Sequence, residues 1–224
     1  NSFKRVFYEC KNNNIQILPI IDERYPKNLL NKDYPPVTLF LKGNLSLLDT
    51  RIIAMVGTRE ADDAALQWTK QVARDLASKS ITVISGGAMG IDTAAHTGAL
   101  AASGKTICVL GSGILNPFPP ENIGLFEEIM RNGLLVSEHL PSFPGSRIAL
   151  IQRNRITSGL AEAIILCASK SMGGAMMQTK IAHEQRVPIL CPTLKLNLSP
   201  NEGILLAKQE YNATEVESAI DALN

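Results

Sequence analysis

The segment that says most about the fold of this chain is ITVISGGAMGIDTAA, residues 81–95. Residues 81–84 favour a β-strand, residues 85–90 are rich in glycine, and an alanine-rich helical pattern begins near Asp92. A strand that turns through glycines into a helix collects free backbone N–H groups and the positive end of the helix dipole at one point. Such a turn either binds an anion, above all a phosphate, or is a tight connection with no ligand. It matches neither the P-loop nor the dinucleotide-binding fingerprint.

Apolar runs of strand length recur on both sides of this segment. They are continuous rather than alternating, which is typical of strands buried on both faces. Helical patterns separate them at 62–79, 91–103, 122–132 and 174–186. This alternation predicts an α/β fold with a mostly parallel sheet and helices on both faces. The predicted strands are 37–41, 52–56, 81–84, 106–110, 134–136, 163–167 and 187–191.

The first 50 residues are less regular than the rest of the chain. Turns are marked by Tyr25-Pro26 and by Tyr34-Pro35-Pro36. We predict that residues 1–50 are an N-terminal extension packed on the core, and that residues 51–224 form the core domain.

Length and composition place the chain among globular proteins. It has 224 residues, of which 45% are hydrophobic, enough for one α/β domain or for one domain with a small appendage. The chain has no run of about 18 apolar residues, so we expect no membrane span and no membrane partner. Residues 1–14 are polar and mixed, which does not suggest a signal peptide. Because the chain begins at Asn1 rather than Met, we expect it to be trimmed at the front.

Cysteine usage indicates a reducing compartment. The four cysteines, Cys10, Cys108, Cys167 and Cys191, have no short spacing, and three of them lie in strand-like apolar runs. The three histidines form no recognisable metal pattern. We therefore predict a cytoplasmic protein with no metal and no cofactor.

Charge is unevenly distributed along the chain. The net charge is +1, so any contact with nucleic acid must be local. Residues 51–200 carry 14 lysines and arginines against 11 aspartates and glutamates, a net charge of +3. Residues 201–224 carry one against five, a net charge of −4, which indicates either a solvated acidic last helix or an interaction tail.

Small and anion-binding residues follow three successive predicted strands. These turns are Gly57-Thr58-Arg59, Ser85-Gly86-Gly87-Ala88-Met89-Gly90 and Gly111-Ser112-Gly113. A guanidinium binds phosphate bidentately, and glycines let the backbone approach it. Because ligands of open α/β sheets bind beyond the carboxyl ends of the strands, we predict an anion site there. Its predicted residues are Gly57, Thr58, Arg59, Ser85, Gly86, Gly87, Ala88, Gly90, Gly111, Ser112, Gly113, Phe118, Arg153 and Arg155.

Three members of that set have alternative interpretations. Phe118, between prolines, either stacks on a base or folds back on the core. Arg153 and Arg155 are two apart and cannot both face one side of a helix, so at least one should point outward or to a loop. A structural salt bridge is the alternative role for one of them.

No catalytic group is predicted. Asp92 and His96 are four apart on a helix, where a helix cap and a half-buried imidazole are favoured over an acid/base pair. Ser85 lies too close to both of them along the chain to complete a nucleophilic triad, and no other set of nucleophile, base and orienting group is visible.

At this point the motifs themselves resemble a known family. The chain is similar to the DNA-processing protein A (DprA/Smf) family over roughly residues 15–210. Two lead-in segments, YPKNLL at 25–30 and PPVTLFLKGNLSLL at 35–48, also match. The five core motifs occur in the family's order: VGTR at 56–59, SGGAMGIDTAAH at 85–96, VLGSGILNPFP at 109–119, LVSEHLP at 135–141 and QRNRITSGL at 152–160.

The resemblance implies an extended Rossmann-like fold and a binding protein rather than an enzyme. It implies binding of single-stranded DNA, a homodimer, and loading of a RecA-type recombinase in DNA uptake and recombination. By motif, it assigns the DNA pocket to Arg59, to residues 85–90 and to Phe118. The C-terminal winged-helix domain of many members is absent from this sequence.

The second half departs from the family pattern. The usual strand ending Val-Glu-Ala is replaced by residues 165–168, Ile-Leu-Cys-Ala, so an acid is missing. Further departures are Ser-Met-Gly-Gly at 171–174, Pro-Thr at 192–193 and Leu-Leu-Ala-Lys-Gln-Glu-Tyr at 205–211. We expect dimer contacts and pocket walls in this half, so the departures bear on partners more than on the fold.

Two other functions use the same fold class. A ligand sensor would bind a free nucleotide in the same phosphate pocket. A phosphoribohydrolase of the Lonely-guy type would carry Gly-Gly-x-Gly-Thr-x-x-Glu, whereas residues 173–179 read Gly-Gly-Ala-Met-Met-Gln-Thr and lack the catalytic glutamate. That absence argues against hydrolysis, because no carboxylate would stabilise the sugar cation.

Overall fold

The computed structural model describes residues 2–219 and 221–223. Within them, nine strands form one sheet, and helices and short 3-10 turns connect the strands. The strands are β1 Gln16–Pro19, β2 Thr38–Gly43, β3 Ile52–Gly57, β4 Thr82–Ser85, β5 Thr106–Val109, β6 Leu134–Ser137, β7 Ala163–Ala168, β8 Ile189–Pro192 and β9 Thr214–Val216. The helices are α1 Ser2–Asn12, α2 Lys27–Leu30, α3 Asp63–Ser78, α4 Ile91–Ala101, α5 Ile123–Asn132, α6 Arg147–Gln152, α7 Asn154–Leu160, α8 Gly174–Glu184 and α9 Glu202–Tyr211.

The sheet is mostly parallel, as the alternation of strand and helix patterns predicts. Its strand order is β1-β2-β6-β5-β4-β3-β7-β8-β9. β2 is antiparallel to its two neighbours, β1 and β6, and all other strand pairs are parallel. The chain adds β4, β5 and β6 on one side of β3 and then β7, β8 and β9 on the other. The order therefore reverses at the β3–β7 pair, and a doubly wound sheet opens a crevice for ligands at that point.

Both faces of the sheet are covered, which accounts for the continuous apolar runs. Along β3, Ala54 and Val56 contribute to a buried cluster that includes residues of α7, α8 and α9. Ile53 and Met55 point to the opposite face and join a cluster with α3 and α4. On the same face, Phe126 of α5 packs in a third cluster with residues of β2, β5 and β6. The predicted α/β fold with helices on both faces is confirmed.

The first 43 residues contribute more to the sheet than the sequence suggests. β1 is a strand of only four residues that ends in a proline, so it carries little strand signal. It nevertheless pairs with β2, and β2 pairs with β6, so both lie at one edge of the single sheet. The division of the chain at residue 50 stays a prediction.

The acidic segment at the other end is also part of the fold. It forms α9, as expected of an acidic helix, but then returns to the sheet as β9, which the sequence does not predict. Val216 of β9 is buried, and Lys208 forms an ion pair with Glu215 at 2.6 Å. In the described part of the chain, no helix combines the length and apolar character needed to span a bilayer.

The contact between α3 and α4 depends on a glycine. A β-carbon on Gly98 of α4 would overlap the Lys70 carbonyl oxygen and lie 3.0 Å from the Ala73 side chain, both on α3. Two helices approach this closely only where one lacks a side chain. Gly124 in the first turn of α5 differs, since a β-carbon there would meet nothing within 4 Å.

This pair of glycines yields the first prediction. Gly98→Ala should lower the free energy of unfolding by about 1–3 kcal/mol, because the overlap outweighs alanine's better helix propensity. Gly124→Ala is the matched control and should be neutral or raise the free energy of unfolding by up to about 1 kcal/mol. Urea unfolding of both variants measures the difference. Equal stability changes would show that the α3–α4 contact tolerates a methyl group.

Candidate functional site

A cleft lies where the strand order reverses. Its volume is about 520 Å³, and the turns after β3, β4 and β7 meet there with α6 and α7. These are the carboxyl ends of parallel strands, which is where the sequence predicts an anion site. The cleft is lined by Gly57, Thr58, Arg59, Glu60, Ala88, Asp92, Arg147, Leu150, Ile151, Arg153, Asn154, Ser169, Lys170, Met172, Gly173, Gly174, Ala175, Met177 and Gln178.

The glycine-rich turn after β4 is held in a conformation that only glycine allows at two positions. Gly87 and Gly90 have φ angles of 75° and 78°. A β-carbon on Gly87 would lie 2.7 Å from the Cys108 thiol and from the Phe126 ring. The Asn122 amide donates to the Gly87 carbonyl at 2.9 Å, which fixes the turn from outside. These two glycines therefore allow close packing of the turn, and neither of them lines a cleft.

Thr58 and Arg59 follow β3 at the mouth of the cleft. The Thr58 backbone N–H donates to the Ala168 carbonyl at 2.9 Å, and the Thr58 carbonyl accepts from the Ile91 N–H at 3.2 Å. The backbone is thus tied to both β7 and α4, while the Arg59 side chain is exposed. Next to it, Glu60 pairs with Lys170 at 2.8 Å across the opening.

A smaller cleft of about 210 Å³ continues from the first. It shares Arg59, Ala88, Leu150 and Arg153 with the larger cleft. Phe118 lies in its wall and is 47% exposed, so the aromatic ring is not folded back on the core. The exposed Phe118 ring is therefore accessible to a base that stacks on it.

Arg153 lies beneath the glycine-rich turn and borders both clefts. It is 6% exposed, and its guanidinium packs against Gly86, where a β-carbon would overlap it. The Nε and Nη1 atoms have no hydrogen-bond partner among the described residues. Burial lowers the pKa of this guanidinium and raises the pKa of the nearby Asp92 carboxyl, and the opposite charges counteract both shifts. Buried guanidinium donors without partners favour an incoming anion.

Asp92 and His96 are more deeply buried than the sequence suggests. Gly90, not Asp92, is the N-cap residue of α4, and Asp92 accepts from the Ala88 N–H at 3.2 Å in the first turn. The His96 imidazole is fully buried rather than half-buried, with Nδ1 2.7 Å from the Thr106 hydroxyl. That hydroxyl donates to a backbone carbonyl, so Nδ1–H donates to it. Burial, with the Arg153 charge, lowers the pKa of His96 to about 3.

Arg155 takes the structural role. Its two Nη atoms each lie 2.6 Å from a carboxylate oxygen of Glu138, and its Nε donates to the Tyr34 carbonyl at 3.1 Å. The side chain is 23% exposed, and it does not line either cleft. Arg155 thus points to two loop residues, Tyr34 and Glu138, whereas Arg153 is buried beneath the glycine-rich turn.

Some predicted site residues face away from the clefts. The Ser85 hydroxyl is buried and donates to the Met55 carbonyl at 2.6 Å. The turn at 111–113 is covered by the segment before and within α6: Leu150 packs on Gly111, and Gly113 donates to the Phe143 carbonyl at 2.8 Å. Sequence reasoning placed this turn correctly at a strand end but could not see what packs on it.

Other cleft residues were missed by the sequence analysis. Arg147 begins α6 and is exposed, Lys170 follows β7, and Gln178 lies one turn into α8. The signal for Lys170 was its position after a predicted strand. Arg147 and Gln178 become neighbours only through the way α6 and α8 pack, which no local pattern shows. Within residues 2–219 and 221–223, no group of three histidine, cysteine, aspartate or glutamate side chains is placed to hold a metal.

Comparison with known proteins agrees with this geometry. A sequence model of the family described as DNA recombination-mediator protein A matches residues 16–224. The chain belongs to the DNA recombination-mediator protein A family. It is 33% identical to the DNA processing protein DprA of Bacillus subtilis over 182 residues, which cover 81% of this chain and 61% of that protein. The chain spans about half the length of the other curated relatives it matches.

Two solved structures share the whole architecture. DNA processing protein A of Streptococcus pneumoniae superposes with a TM-score of 0.86 at 32% identity, covering 93% of this chain and 73% of that one. The protein from Helicobacter pylori, described with a single-stranded DNA binding mode, gives a TM-score of 0.84 at 27% identity and covers 94% of both chains. The extended Rossmann-like fold and the family resemblance are thereby confirmed.

Burial of His96 yields the second prediction. In the unfolded chain His96 takes up a proton below about pH 6.5, whereas in the folded chain it stays neutral down to about pH 3. The unfolded state then binds more protons, so stability should fall as the pH drops from about 6.5, by at most about 1.4 kcal/mol per pH unit. Urea unfolding between about pH 7 and 5 measures this slope. His96→Gln should flatten it, and an unchanged slope would mean that other groups cause the pH dependence.

Proposed function

We propose that this chain binds single-stranded DNA along the two joined clefts, without strong sequence preference and without cleaving it. The observation that carries the proposal is the pair of cationic side chains, Arg59 and Arg147, exposed at one sheet edge beside the open ring of Phe118. The family, and the single-stranded DNA binding described for the H. pylori protein, support it.

The cationic groups of the cleft are available for phosphates. None of the ion pairs in the described part of the chain includes Arg59 or Arg147. Arg153 adds a buried positive charge beneath the glycine-rich turn. Guanidinium groups and backbone N–H groups contact phosphate oxygens, which every sequence shares, so the contacts position a strand without reading it.

Phe118 supplies the contact that favours a single strand over a duplex. A base can stack on an exposed ring only when it is not paired, and one such contact contributes about 1–3 kcal/mol. The ring shares the smaller cleft with Arg59 and Arg153, so a base on the ring leaves its phosphate close to the guanidinium groups. Aromatic stacking and phosphate contacts together are typical of sequence-tolerant strand binding.

The described residues favour binding over catalysis. His96 is fully buried, its Nδ1–H donates to Thr106, and no histidine among the described residues lines either cleft. Asp92 is held by the turn and by the charge of Arg153. Neither reaches an exposed nucleophile, so we infer that the chain is a binding protein rather than an enzyme.

We further infer a cytoplasmic homodimer that assists a RecA-type recombinase in DNA uptake and recombination. The family supports the recombinase partner. The net charge of +3 over residues 51–200 is modest for tight binding by one cleft. A dimer would join two clefts and raise the effective concentration of the second contact.

The alternative is a sensor that binds a free nucleotide in the same place, which the 520 Å³ volume of the larger cleft also suits. The salt dependence of binding separates the two. Each phosphate contacted along a strand contributes about −0.7 to the slope of log affinity against log salt, so a mononucleotide gives a shallow slope.

The third prediction concerns Arg59. Arg59→Ala should weaken binding of single-stranded DNA by about 1–3 kcal/mol and reduce the salt slope, because one charge-assisted phosphate contact is lost. Arg59→Lys should recover only part of the affinity, since the forked geometry is gone. Fluorescence titration with a labelled oligonucleotide measures both.

Arg51 provides a matched control at the opposite end of β3. Its side chain is 58% exposed and makes a surface ion pair with Glu162 at 3.0 Å. Arg51→Ala removes the same charge without touching either cleft, so strand affinity should stay unchanged. If Arg51→Ala and Arg59→Ala lower the affinity equally, general charge attraction rather than a site explains the binding.

The fourth prediction tests the function as a whole. Single strands should bind more tightly than duplexes of equal length, and incubation with Mg²⁺ should leave labelled strands intact. Titration and denaturing gels give the two readouts. Cleavage would contradict the binding role, and tight mononucleotide binding with no strand binding would favour the sensor.

A further inference from the structure

The start of α8 forms an open end of the larger cleft. Gly173 is its N-cap residue with a φ angle of 136°, and no side chain caps the helix. A β-carbon on Gly173 or Gly174 would meet nothing within 4 Å. The chain therefore uses two glycines where close packing does not require them. The first N–H groups of this helix of 11 residues remain open toward the cleft.

A buried polar group lies beneath these N–H groups. Gln178 is 6% exposed and lines the cleft, and its Nε2 has no hydrogen-bond partner among the described residues. It lies four residues after Gly174, and helical side chains lean toward the helix N-terminus. Gln178 therefore lies about one turn into α8, on the part of the helix that lines the same cleft as its open start. A buried donor without a partner costs free energy that a bound anion would recover.

Cationic side chains surround the same place. Arg147 and Lys170 line the cleft with the α8 start, and Arg153 lines it from beneath the glycine-rich turn. The Lys170 amine pairs with Glu60, but both side chains are largely exposed, so this pair is weak and an anion can compete for it.

We propose that the α8 end of the larger cleft binds a phosphate monoester, the 5′-phosphate of a deoxynucleotide. That phosphate belongs either to a free mononucleotide or to the 5′ end of a DNA strand. The helix N–H groups, the Gln178 amide and the side chains of Arg147 and Lys170 are its donors.

The number and arrangement of donors favour a monoester over a diester. A terminal phosphate carries about −1.5 to −2 charges and three acceptor oxygens, whereas a phosphate within a strand has two free oxygens and one charge. The α8 N–H groups, Gln178 and the cationic side chains belong to different elements that meet at one place. Leu150 and Met177 line the same cleft and provide apolar surface for the attached nucleoside.

The strand-end form of this proposal rests on the proposed function, whereas the free-nucleotide form does not. The α8 site borders the smaller cleft with Phe118 through the shared wall of Arg59 and Arg153. A strand that begins with its phosphate at α8 would continue past these arginines to the aromatic ring. A free nucleotide would occupy the larger cleft alone.

Calorimetric titration with four probes tests the proposal. The probes are deoxyadenosine 5′-monophosphate, deoxyadenosine, and one oligonucleotide of about ten nucleotides prepared with and without a 5′-phosphate. We expect the phosphate to raise the affinity of the nucleoside or of the oligonucleotide by about tenfold or more, the scale of a charge-assisted hydrogen bond. If the phosphate raises the affinity of the nucleoside, the ligand is the free nucleotide. If it raises the affinity of the oligonucleotide alone, the ligand is the 5′ end of a strand.

Two variants locate the effect. Gly174→Asp places a carboxylate at the open helix start, where it stabilises the helix and repels phosphate, so it should abolish the gain. Gln178→Leu should reduce the gain severalfold. Gly124→Asp is the matched control, because Gly124 is also an open glycine in the first turn of a helix, away from both clefts. It should leave the gain unchanged, and thermal unfolding of all three checks that they are folded.

The outcomes separate this proposal from the proposed function. Equal affinity with and without the phosphate on both pairs of probes would overturn it, as would equal effects of Gly174→Asp and Gly124→Asp. Tight binding of the 5′-hydroxyl oligonucleotide in that case would leave strand binding intact. Binding of the mononucleotide without binding of either oligonucleotide would support the α8 site and reject the strand-binding function.

Discussion

The close approach of α4 to the turn after β3 is the constraint on which the site depends. A β-carbon on Gly90 would lie 2.6 Å from the carbonyl oxygens of Thr58 and Arg59. The Ile91 N–H donates a hydrogen bond to the Thr58 carbonyl and so joins α4 to this turn. The same turn is hydrogen-bonded to Ala168 of β7, and α4 follows β4. The carboxyl ends of β3, β4 and β7 are therefore fixed relative to each other. The exposed side chain of Arg59 therefore projects from a rigid backbone, which a phosphate contact of defined geometry requires.

A buried charge lies under this junction and explains much of its polarity. Arg153 fills the space that the missing side chain of Gly86 leaves open, with Asp92 nearby. A buried guanidinium with unpartnered donors is costly in the absence of an anion. The free energy needed to hold it there comes from the core on either side of the sheet. We infer that this cost is retained because it prepares the turn for a phosphate, as strained or unsatisfied groups often do at functional sites.

The parallel strands and the main helices could be predicted from the sequence, since the strands form continuous apolar runs and the helices between them carry a helical pattern. The seven predicted strands all exist, with ends that differ by up to two residues. The two missed strands are short edge strands: β1 has four residues and ends in a proline, and β9 has three residues and follows an acidic helix. The edge strands depend on pairing partners far along the chain, which no local pattern reveals.

The candidate site could be predicted in part for the same reason. Arg59 and the turn at 85–90 follow directly from strands, so their position was predictable. The roles of Arg153 and Arg155 were not, because burial beneath Gly86 and pairing with Glu138 depend on how α6 and α7 pack. The cover over the turn at 111–113 likewise comes from a segment about 30 residues later in the chain.

Near its end, β7 carries a neutral residue, Cys167, where the family pattern has an acid. Where the family pattern has a glutamate, Cys167 is fully buried on the α3–α4 side, and burial raises the pKa of its thiol to about 12. A carboxylate there would lie near Asp92, whose charge already acts on the thiol. Cys167 does not line the larger cleft, whose carboxylates are Glu60 and Asp92 against four cationic side chains. A chain of net charge +1 thus concentrates positive charge at the sheet edge, where an anionic ligand would meet it.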